Sequence, residues 1–132
     1  MPRVVHPDRP LVRTFIACQQ VTQIGSQTTL VGLIEKVTAH ADAGHFQATL
    51  YCSLSSGRGS HVVHLQIVYF DTDGREISRL VGTSASIEMG HNPLAIRGLP
   101  IPLQVSLKGR EVIEFILIID SEDSATLELA VR

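Results

Sequence analysis

The chain has 132 residues, 44% of them apolar and 18% charged, with a net charge of −2. A chain of that length fits one domain and buries about two-thirds of its unfolded surface, so its core needs no metal or disulfide staple. The slightly acidic balance argues against nucleic acid, whose partners carry a basic footprint. No apolar run reaches the ~18 residues of a membrane-spanning helix.

Pro2, Pro7 and Pro10 predict an extended lead-in over residues 1–10, followed by a single domain over 11–132. "MPRVVHPDRPLVR" has no continuous apolar stretch and no small-residue cleavage site, so no secretory signal is read there. From Leu11 the apolar residues recur with period two. "TFIACQQV" and "TTLVGLIEKV" read as strands on either side of a turn at Gly25. The second also has helical spacing (Leu30 with Ile34, Leu33 with Val37), but its β-branched content and Gly32 favour strand. In "FQATLYCSL", Phe46, Ala48, Leu50, Cys52 and Leu54 share one face while Gln47, Thr49, Tyr51 and Ser53 take the other, the mark of a half-buried strand. "HADAGH" and "SSGRGS" are polar, Gly-containing connections.

"HVVHLQIVYF" places His61, Val63, Leu65, Ile67 and Tyr69 toward a core, with Val62, His64, Gln66, Val68 and Phe70 opposite. "DTDG" supplies turn chemistry and "REISRLVG" restarts a strand, so this stretch predicts a hairpin. "SASIEM" is a further short strand and "GHNP" a turn. Pro100 and Pro102 in "GLPIPL" cannot donate to a ladder, which marks an edge or a crossover; the functional alternative is an edge that recruits a partner strand. "EVIEFILIID" is apolar on both faces and reads as a central strand. "DSEDS" turns the chain, and "ATLELAV" returns with Ala125, Leu127, Leu129 and Val131 on one face. Seven or eight short runs with turns between them predict an all-β, antiparallel β-sandwich.

In order, "FIACQQV", "TLVGLIEKV", "YFDTDGREI", "IRGLPIP" and "VIEFILIIDSEDSATLELAV" resemble a family of small bacterial domains of unknown function. Those domains run from an opening strand with a Cys through a "DPDGR" turn and an "NGLPFP" segment to a closing hairpin. The resemblance covers about residues 14–131. The chain departs from the pattern at Thr72, where the family has Pro, and in a longer "VSLKGREV" lead into the last hairpin. The resemblance implies an immunoglobulin-like sandwich and carries over no functional positions.

The candidate chemistry is thin. His61 and His64 are three apart, which on a strand sets them on opposite faces, so they cannot share an ion. His40 and His45 bracket a loop with Asp42 but have no third ligand. "DTDG" begins like a calcium loop yet lacks the later acidic ligands. Asp120, Glu122 and Asp123 read as a solvated turn. "SGRGS" lacks the Lys-Ser/Thr and the helix of a phosphate loop. Cys18 and Cys52 lie in strand patterns as free thiols, which suits a reducing compartment and a cytoplasmic setting. The reading assigns no catalytic residue, metal ligand or cofactor. It expects a binding or scaffold module that forms homo-oligomers and takes an additional protein partner, with no nucleic acid and no membrane. The interface is placed at Val112, Ile116 and Ile118, on the second face of the central strand, which a single sandwich leaves uncovered unless residues 1–13 or a loop at 81–100 fold over it. The alternative is an enzyme or metal protein whose site assembles from loop His and Asp residues.

Overall fold

The computed structural model describes residues 9–37, 45–71, 73–92, 94–106 and 112–131. Among them are nine strands and no helix: β1 (Leu11–Ile24), β2 (Gln27–Ile34), β3 (Lys36–Val37), β4 (His45–Ser55), β5 (Ser60–Phe70), β6 (Glu76–Glu88), β7 (Ile96–Ser106), β8 (Val112–Ile119) and β9 (Glu122–Val131). They form two sheets, β2-β1-β4-β7 and β3-β9-β8-β5-β6. Neighbours are antiparallel except β3, which runs parallel to the end of β9 with Lys36 opposite Ala130. With β1, β4 and β7 facing β9, β8, β5 and β6, the connectivity is that of an immunoglobulin-like sandwich, in which these strands take the places of A, B, E and G, F, C, C′. The β1–β2 hairpin and the short β3 are built around that frame.

The period-two pattern fixes which face each strand buries. His61, Val63, Leu65, Ile67 and Tyr69 of β5 are all at most 8% exposed, as are Ala48, Leu50, Cys52 and Leu54 of β4. They meet Ile113, Phe115, Leu117 and Ile119 of β8 and Leu129 and Val131 of β9. Full burial of each larger apolar side chain stabilises the fold by roughly 1.5–3 kcal/mol. The strand "EVIEFILIID" is central as expected, lying between β9 and β5.

Turn chemistry sets the register. Asp71 closes the β5–β6 hairpin: its Oδ1 accepts from the N–H groups of Asp73 (2.9 Å) and Arg75 (2.9 Å), and its backbone oxygen accepts from Gly74 (3.1 Å). Gly74 stands at φ +81°, a conformation open to glycine. The β8–β9 turn is tighter than the "DSEDS" reading expected. Asp120 and Ser121 alone make it, both with positive φ (51° and 68°), and β9 begins at Glu122. A two-residue turn of this sign matches the twist of the strands it joins.

A second departure concerns β6. "REISRLVG" and "SASIEM" are one strand of 13 residues, bent by two bulges opposite β5. One lies opposite Leu65, where a Cβ at Gly82 would come within 2.9 Å of the Leu65 backbone oxygen. The glycine read as a strand end is there to let the bulged backbone pass close. The strand total is nine rather than seven or eight because "TTLVGLIEKV" divides into β2 and the two-residue β3 in different sheets and "GLPIPL" is a full strand, β7, while the two runs of β6 merge into one. At the start of the chain, Arg9 pairs with Glu122 and Pro10 packs against Gly57. The rest of the lead-in, the loop holding His40 and Asp42, and the "LKGRE" segment lie outside the described residues.

Candidate interaction surface

His61 is 6% exposed on the core side of β5, and both its ring nitrogens are taken. Nδ1 lies 2.6 Å from Asp120 Oδ2, and Nε2 lies 2.6 Å from the Arg58 backbone oxygen. Two acceptors, one at each nitrogen, are satisfied together only by the doubly protonated ring. Asp120 also accepts from the Val62 N–H at 3.0 Å. Burial works against its charge, but the bonds from His61 and Val62 and the charges of His61 and Arg9 outweigh it, holding the carboxyl below its usual range. The arrangement ties the β8–β9 turn to the β4–β5 connection. A general base needs a free nitrogen, and here Nε2 faces a carbonyl. His64 lies on the opposite face, half-buried, as the strand spacing predicts. Among the described residues no three His, Cys, Asp or Glu side chains are grouped to hold a metal ion.

Both thiols are free and buried. Burial pushes Cys52 up to about 11 and raises Cys18 as well. Neither is prepared as a nucleophile, because the thiolate is the reactive form.

Val112, Ile116 and Ile118 do share the outer face of the five-stranded sheet, as their spacing predicts. At these three residues that face is largely covered within one chain, while Val62 and Val81 on the same face are 42% and 73% exposed. Ile116 is 6% exposed and its neighbour Val68 is 0% exposed, while Val112 and Ile118 are half-buried. Gln66 lies opposite Ile116 and Glu114 opposite Val68, with Arg79 on the far side of Val68, bonded to Gln66 (2.9 Å) and Glu76 (2.7 Å). Long polar side chains lie over apolar ones here, so an interface at these three residues finds little open apolar surface.

The longest open and uncharged stretch lies in the other sheet. β1 pairs with β4 from Leu11 to Cys18 and with β2 from Ala17 to Ile24, so only Ala17 and Cys18 are flanked on both sides. Beyond them, residues 19–33 form a two-stranded ribbon, none of it buried. Ile24 is 75% exposed, Leu33 64% and Val31 45%. No charged residue occurs from Thr14 to Ile34. A two-stranded hairpin is marginal alone in water, and an open, uncharged edge is a template for another strand. Where the ribbon leaves β4 it opens a cleft of about 540 Å³ lined by Gln19, Gln47, Thr49, Pro102 and Gln104.

Among the described residues the other long edges are defended: β9, open over Glu122–Leu129 because β3 pairs only with Ala130 and Val131, carries Glu122, Asp123 and Glu128. β7 is the far edge of the four-stranded sheet, with Pro100 opposite Tyr51 and Pro102 opposite Thr49. A proline in a ladder must turn its nitrogen outward, so the open side of β7 lacks two donors, which settles "GLPIPL" as an edge strand. β6, at the edge of the other sheet, carries two bulges and the charges of Glu76, Arg79 and Glu88. β2 carries no proline or charge. The signal that points to it in the sequence is the uncharged run from Thr14 to Ile34.

Neither a family model nor a curated protein matches the chain. Among solved structures it is similar to the alkylpurine DNA glycosylase AlkC of Pseudomonas fluorescens, bound to DNA containing an abasic site analog, with a TM-score of 0.54 and 13% identity. The match covers 94% of this chain and 30% of that one, so the chain spans less than a third of the glycosylase's length, and at that identity the likeness is one of fold.

Proposed function

We propose that this chain is a non-catalytic β-sandwich interaction module that binds protein through the β1–β2 ribbon. The observation that carries the reading is the open β2 edge, exposed and uncharged in a molecule whose other long edges are blocked by prolines, bulges or charges. Against the rival reading of an enzyme or a loop metal site stands His61, whose two nitrogens are both engaged. DNA is not carried over from the glycosylase: the net charge is −2 and the ribbon offers no cation to a phosphate. Two buried free thiols support a reducing compartment, which for the bacterial family it resembles is the cytoplasm. No helix among the described residues is long and apolar enough to cross a membrane.

Site-directed photo-cross-linking tests this reading. A photoreactive residue at Val31 should cross-link to protein in cell extract well above one at Leu94, which is 85% exposed but away from the ribbon. Equal yields at the two positions would end it.

A further inference from the structure

We infer that the partner of the β2 edge is β2 of a second copy of this chain, paired antiparallel about a two-fold axis. The inference rests on the proposed role of the ribbon and names its occupant. A two-fold contact sets each surface against itself, so any charge on the pairing strand meets its own sign nearby. β2 reads QTTLVGLI and β1 beside it TFIACQQVTQI, with no charge in either stretch. A foreign strand is ordinarily selected by complementary charge, and β2 offers nothing for such a partner to read. What it offers suits its own copy: an uncharged strand with Thr28 and Thr29 on one side of Leu30 and the exposed Val31 and Leu33 on the other, so that a two-fold through Leu30 sets Thr29 opposite Val31. The product is one sheet of eight strands, β7-β4-β1-β2 joined to β2-β1-β4-β7, whose outer edges are the two proline-bearing β7 strands. β3 is only two residues long, the open part of β9 beside it carries Glu122, Asp123 and Glu128, and β6 would bring bulges and Arg79 to the contact, so none replaces β2.

A two-fold pairing of residues 27–33 puts Leu30 on the axis and Thr29 diagonal to its own copy, which makes Thr29 the position to perturb. The purified chain should show twice its 14.4 kDa mass by light scattering at micromolar concentration. Thr29→Lys and Thr29→Glu, made separately, should each run as monomers with an unchanged far-UV spectrum. Mixed in equal amounts they should recover the doubled mass as a heterodimer, which also shows that both variants are folded. A monomeric parent chain, or a dimer that survives Thr29→Lys, would overturn the inference. Val31 cross-links to other proteins from a monomeric chain would leave the interaction reading standing and remove only the second copy. Cross-links no stronger than those at Leu94 would remove both.

Discussion

Asp120→Asn separates the charge of the β8–β9 turn from its shape. Asn tolerates the left-handed backbone at φ 51°, so the turn geometry is kept. What is lost is the carboxylate that accepts from His61 at 2.6 Å and from the Val62 N–H at 3.0 Å. Hydrogen bonds to charged groups contribute about 1.5–3 kcal/mol each, and His61 would be left 6% exposed with its counter-charge gone. The Asp120 side chain is 31% exposed, so water screens part of the interaction, and we expect a loss of about 2 kcal/mol. For a domain of this length that lowers the melting temperature by roughly 6–10 °C. Asp123→Asn, at an exposed position of the same hairpin, should change little. The pH dependence gives a second readout. A carboxyl held below its unfolded value of about 3.9 adds stability that is complete above that value and is lost as pH falls through its folded value. The gap between parent and variant, followed by thermal melts monitored by circular dichroism, should therefore be full at neutral pH and close in acid. An Asn variant as stable as the parent, or a gap that persists at a pH of about 2, would refute the role given to this pair.

Glu114 is pushed up by burial and by the charge and hydrogen bond of Glu128, against the pull of Arg79. An acid raised in the fold favours stability below its unfolded value and opposes it as pH rises through the folded one. Glu114→Gln should therefore raise the urea midpoint at pH 7 and give no advantage in acid. Both thiols should resist Ellman's reagent at pH 8 in the native protein and react once it is unfolded, since burial raises both. Gly82→Ala should lower stability by about 1–3 kcal/mol in the same denaturation assay, because its Cβ would sit 2.9 Å from the Leu65 backbone oxygen.

The faces of the strands were legible because a half-buried strand writes its burial with period two. "FQATLYCSL" and "HVVHLQIVYF" sort their residues in the sequence as the sandwich sorts them in space. "DTDG" was legible because an Asp that bonds its own backbone two and four residues on is a local device. The unity of β6 was not, because a bulge is set by the partner strand, and Gly82 looks like any strand-ending glycine. His61 could be read as core-facing, but its partner Asp120 is 59 residues away in sequence. The partial cover over β8 was not legible for a related reason. Alternation says that Ile116 faces outward, but not that Gln66 and Arg79 from neighbouring strands join Glu114 of its own strand on that face. The ribbon was not legible because its alternation matches that of a core strand, and only the point where β4 leaves β1 sets it apart as two strands paired with each other alone.

That parting of β4 from β1 also divides the molecule by rate of opening. Backbone amides of β8, flanked by β5 and β9 and sealed by the core, exchange with solvent only when the whole fold opens. Amides of residues 20–31 are held by one ladder between two exposed strands, so they open by fraying from the turn at Gly25 while the sandwich stays closed. The tip can thus lose and regain order many times within the lifetime of one folded molecule. Whatever seats on β2 captures the ordered form of the ribbon, and the free energy of that ordering is withdrawn from the affinity of the contact while the core is left untouched.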